Sequence, residues 1–65
     1  MNKTINTLAK KMDTLSFINE LDARNVDFTF DYVENVMDFN EGTVNLIVED
    51  VSYLFADGKL LDVSY

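Results

Sequence analysis

From Val26 to Tyr32 the chain alternates without a break, with Val26, Phe28, Phe30 and Tyr32 on one parity and Asp27, Thr29 and Asp31 on the other. A period of two sends successive side chains to opposite faces of a strand, so this segment is expected to have an apolar face and a carboxylate face. Upstream the period is different. Across residues 3–24, Ile5, Leu8 and Met12 recur at helical spacing, while Leu15, Phe17, Ile18 and Leu21 fall on another side of the same helix. The phase changes at Asp13-Thr14, where either side chain can cap a second helix, and Asn25 suits the left-handed position beyond its end. A kinked helix or two short helices are expected over about residues 3–24.

Downstream, one set of turns keeps the apolar parity through every connection. A turn at Glu34-Asn35 sets Tyr32 opposite Met37 and Phe30 opposite Phe39, and a loop at Asn40-Glu41-Gly42 sets Phe39 opposite Val44 and Met37 opposite Leu46. A tight turn at Glu49-Asp50 then sets Leu46 opposite Tyr53 and Val44 opposite Phe55, and Ala56-Asp57-Gly58 pairs Tyr53 with Leu61 and Val51 with Val63. A one-residue slip would invert a strand's faces, so this consistency is informative. The expected fold is α+β, in a single domain over residues 1–65: the N-terminal helix packs on one face of a five-stranded antiparallel β-meander spanning about residues 26–65. An alternative starts from Asp31-Tyr32-Val33-Glu34, which matches a capping box; residues 31–40 then form a second helix ended by Gly42, and the antiparallel sheet has three to four strands.

Composition decides what can hold so short a chain together. A 65-residue domain buries only about 60% of its unfolded surface, and with no Cys and no His neither a disulfide nor a structural zinc can add stability. The 48% apolar content is enough for a packed core. No run approaches the roughly 20 apolar residues of a membrane span, and the N-terminus lacks the apolar stretch of a secretion signal. A cytoplasmic location is expected, that of the host cell if the chain is phage-encoded.

Charge is placed unevenly. Residues 1–24 carry four basic groups against three acids, net +1, whereas residues 25–65 carry nine acids against Lys59 alone, net −8, which gives the chain its −7. Such a body repels phosphate backbones and anionic membranes, so direct nucleic-acid or membrane binding is not expected.

Without His or Cys the commonest proton-transfer and nucleophilic groups are missing, and no catalytic residues, metal ligands or cofactor motif are assigned; the chain is expected not to be an enzyme. The stretch from Asp38 to Glu49 fails as a calcium loop, because Gly42 falls one position early and Leu46 and Val48 fill ligand places. What remains is the acidic face. In the expected register Asp31 and Asp38 lie directly opposite one another, and side chains two apart stand roughly 6.6–6.8 Å from each other, about two nucleotide steps along a DNA strand.

The leading expectation is therefore a small acidic protein that binds and inhibits a nucleic-acid-binding protein or nuclease by presenting carboxylates as a nucleic-acid mimic. Its partner-binding residues would be Asp27, Asp31, Glu34, Asp38, Glu41, Glu49, Asp50 and Asp62, and its partner a basic protein surface. In size, charge and composition the chain resembles the small acidic inhibitors that phages encode against host nucleic-acid enzymes, such as anti-CRISPR and anti-restriction proteins. That resemblance spans the whole chain, shares no sequence signature, and implies a partner class without residue roles. The alternative expectation is a structural or adaptor module that forms a homodimer through an outward apolar patch of Val33, Val36, Ile47, Leu54 and Leu60.

Overall fold

The computed structural model describes residues 3–34 and 38–65. Two helices, α1 (Lys3–Lys11) and α2 (Thr14–Ala23), precede four strands, β1 (Phe28–Glu34), β2 (Thr43–Val48), β3 (Val51–Ala56) and β4 (Lys59–Ser64). The break between the helices is built by Asp13, whose Oδ1 accepts the Ser16 N–H at 2.8 Å and so satisfies a donor the helix start leaves open. Asn25 (φ 57°) closes α2. Its N–H donates to the Asp22 carbonyl while the Val26 N–H reaches Leu21, the double bond that turns a helix end back toward the sheet.

The strands form an antiparallel sheet in the order β1-β2-β3-β4. Both helices lie on one side of it. Ile5 and Ala9 of α1 and Phe17 and Leu21 of α2 are buried against Val44, Leu46, Val48, Tyr53 and Phe55. Phe17 sits at the centre, its ring 5.5 Å from Tyr53 and 5.3 Å from Phe55. Leu8 and Met12, on the face of α1 that marks the phase change, pack against the same core.

The α+β architecture matches the sequence expectation, with four strands instead of five. Residues 38–42 make a turn where the second strand was expected: Asp38 Oδ1 accepts the Asn40 N–H at 2.7 Å, the Glu41 N–H donates to the Asp38 carbonyl, and Gly42 takes φ 75°. Asp and Asn offer the backbone such local bonds in place of a sheet ladder. Consequently β1 pairs directly with β2, Phe30 opposite Leu46 and Phe28 opposite Val48. The alternative's three- to four-stranded sheet has the observed strand count; of its second helix over 31–40, residues 31–34 belong to β1, 38–40 to the turn, and 35–37 lie outside the described residues.

The β2–β3 register is the expected one, Leu46 opposite Tyr53 and Val44 opposite Phe55. The β3–β4 register is not. Asp57 (φ 51°) and Gly58 (φ 83°) make a two-residue turn, a form whose twist suits a hairpin, so Ala56 pairs with Lys59. Leu61 is then taken up as a bulge, which puts Val63 opposite Tyr53 and leaves Leu61 64% exposed. A second bulge, between Phe30 and Tyr32, reverses parity within β1: Tyr32 moves opposite Asn45 on the outer face and Val33 opposite Val44 on the helix side.

Candidate functional site

The bulge in β1 gathers the outer face around a polar row. Asp31 Oδ2 accepts from Asn45 Nδ2 at 3.0 Å, and Asn45 Oδ1 accepts from the Ser52 hydroxyl at 2.9 Å, so three strands are tied across the open face. Asp62 lies opposite Leu54, Leu54 opposite Asn45 and Asn45 opposite Tyr32, so Tyr32 and Asp62 share one row about 14 Å apart at three strand spacings, with Asp31 in the bulge beside Tyr32. From this row the Tyr32 hydroxyl donates to the Glu34 carboxylate.

The remaining predicted acids occupy the two ends of the sheet. Asp27 precedes β1 at the end where Glu49 and Asp50 turn from β2 into β3. Asp38 and Glu41 lie at the opposite end, near Glu34. The face-to-face Asp31–Asp38 pair does not form, because Asp31 neighbours Asn45 and Asp38 is committed to its own turn. The carboxylate row at strand spacing is broken with it. What the structure does bring together is Asp27, Asp31 and Glu34 along β1, spread over about 23 Å at the rise of an extended strand.

These carboxylates face solvent. All eight predicted acidic site residues are exposed, and the ion pair among the described residues, Arg24 with Glu20 at 2.9 Å, joins two groups of α2 and its cap. The Glu49-Asp50 turn adds an energetic signal. Both residues adopt positive φ (51° and 66°), a conformation that costs a non-glycine residue roughly 1–2 kcal/mol and that hairpin turns usually give to Asn-Gly. Both side chains are exposed there. Asp57, in the next hairpin turn, accepts the Gly42 N–H with its Oδ1 at 3.1 Å.

The apolar patch expected for a dimer is divided. Ile47 and Leu54 stay on the outer face, half-buried, but Leu54 faces Asp62 instead of Leu60; Leu60 lies opposite Phe55 and packs on the core, and Val33 turns to the helix side. Val36 lies outside the described residues.

One feature had no signal in the linear sequence. A cavity of about 450 Å³ at the end of α1 is lined by Lys10, Lys11, Met12, Asp13, Gly58, Lys59 and Leu60, so three of the four lysines meet at one opening although Lys59 is far away in the chain. Lys10 and Lys11 also sit in the last turn of α1, where cations favour the negative end of the helix. Among the described residues no three acidic side chains form a metal-binding group, and no helix is long and apolar enough to cross a membrane. Comparison with protein-family models, curated proteins and solved structures returns no match.

Proposed function

We propose that this chain is a non-enzymatic acidic binding protein that occupies a basic, nucleic-acid-binding surface of another protein and thereby inhibits it. The observation that carries the reading is the exposed, single-signed charge: nine acids against Lys59 over residues 25–65, all nine on the surface. Solubility alone is served by interspersed charges of both signs, whereas a one-signed field steers an oppositely charged partner. The support is from charge and exposure. A regular phosphate-like row is no part of it, since Asp31 and Asp38 are not paired. Asp27, Asp31 and Glu34 along β1 form the centre of the surface, with Glu49 and Asp50 at one end and Asp38 and Glu41 at the other.

The test is capture on the immobilised chain from a bacterial lysate at low salt, followed by a salt gradient and a DNA-binding assay on each eluted protein. A captured protein that elutes with salt and loses its DNA when the free chain is added supports the proposal. If every captured protein binds DNA equally well with and without the chain, the inhibitory reading fails.

A further inference from the structure

β1 is an edge strand with β2 as its sheet neighbour, and six of its seven residues are exposed. Phe30, Tyr32 and Val33 remain 45%, 49% and 45% exposed, the densest run of uncovered large apolar side chains among the described residues. On the helix side of this edge an aromatic shelf is already assembled. Phe28 meets Phe30 edge-on at 5.6 Å, and Phe30 stacks on Phe39 at 5.3 Å with 7° between the rings.

An open edge beside an apolar shelf invites pairing with another strand. A second copy is a poor occupant here. Antiparallel or parallel, β1 against β1 would bring Asp27, Asp31 and Glu34 of each copy together along one seam, and the sequence holds no basic residue between Arg24 and Lys59 to relieve them. The edge therefore selects against its own copy and for a strand of opposite charge. The other edge, β4, has mixed charge from Lys59 and Asp62.

We propose that β1 is a strand-addition site for an extended segment of a partner protein in which arginine alternates with apolar residues. This rests on the reading of the chain as a binder of basic protein surfaces and supplies its mode of contact. The segment's backbone pairs with the open edge, its apolar parity covers the Phe28–Phe30–Phe39 shelf, and its arginines meet the carboxylates. Arginine fits better than lysine. A guanidinium can lie flat on the exposed Tyr32 ring while its N–H groups donate to Asp31 or Glu34, which a lysine ammonium cannot do with the same geometry. The bulge at Asp31 twists the edge, so pairing falls into two short stretches on either side of it.

The probe is a synthetic peptide of alternating arginine and valine, titrated into the whole chain while backbone amides are followed by NMR and hydrogen exchange. The expected result is binding that weakens with salt, new protection of β1 amides, and loss of binding when alternate peptide amides are N-methylated. The double variant Asp31→Asn/Glu34→Gln should bind about five- to tenfold more weakly, and a lysine-for-arginine peptide should also be weaker. Salt-dependent binding that leaves β1 amides unchanged and ignores N-methylation overturns strand addition but leaves the basic-surface reading intact. Absence of binding by the arginine–valine peptide overturns strand addition while the capture experiment decides the basic-surface reading, and β1 protection that rises with protein concentration alone reports self-pairing and overturns the proposal.

Discussion

Thr14 Oγ1 is buried with no hydrogen-bond partner, an unusual state for a hydroxyl in a core this small. Thr14→Val keeps the shape and removes the stranded polar atom, so its stability in urea unfolding should rise by about 1 kcal/mol. Asn6 carries the opposite lesson. It accepts from the buried Tyr53 hydroxyl and donates to the Tyr65 hydroxyl at 2.8 Å, and Asn6→Ala should cost about 1–3 kcal/mol by leaving the Tyr53 hydroxyl unpaired. Burial first, then the nearby Tyr65 and Glu49, raise the Tyr53 pKa above its ordinary 10.0. Its stabilising contribution is thus complete below pH 10.0 and lost as pH rises through the raised value. For Asp13 the sign is reversed: bonds from Ser16 lower its pKa from 3.8, so the cap's ionic contribution is complete above that value and lost as pH falls through the lowered one. Asp13→Ala should lower the melting temperature at neutral pH, and the gap to the parent chain should narrow in strong acid. Asp13 and Asn25 were legible in the sequence because capping is decided by neighbouring residues, whereas the Asn6–Tyr53 bond joins positions far apart in the chain that only the packed fold brings together.

At the scale of elements, the register could be read wherever a connection was a two-residue turn in the expected place, as at Glu49-Asp50. It slipped where a local bond or a bulge changed the count. Asp38 and Asn40 bond to their own turn and remove a strand, and the bulges at Asp31 and Leu61 each absorb one residue, which alternation alone cannot reveal. Because the two bulges lie on the outer strands, the central β2–β3 pair kept its expected register, while on β4 Leu60 took the place on the core that Leu61 was expected to fill. Phe17 anchors that core. Phe17→Ala should cost about 3–5 kcal/mol, against a total stability of roughly 3–10 kcal/mol for a chain this size, and leave much of the population unfolded by circular dichroism at room temperature. Asp50→Gly relieves a positive φ and should raise stability by about 1 kcal/mol. If the turn's charge serves binding, the same substitution weakens partner affinity, a split that a purely structural acid would not produce.

For the molecule as a whole, charge was the property most fully written in the sequence, and its spatial arrangement the least. Totals along the chain foretold an acidic body, and the eight acidic site residues are indeed on the surface. Their grouping was not foretold: instead of two carboxylates facing each other, the fold lines Asp27, Asp31 and Glu34 along an uncovered edge and gathers three lysines at the far end of α1. The measurement that bears most directly on the acidic-surface claim is the affinity for a captured partner as a function of salt, for the parent chain and for Asp27→Asn/Asp31→Asn/Glu34→Gln. Affinity should fall steeply with salt for the parent, and the triple variant should bind more weakly with a shallower dependence while unfolding at the same or higher urea concentration. An affinity indifferent to salt, or a triple variant that binds as tightly as the parent, contradicts it.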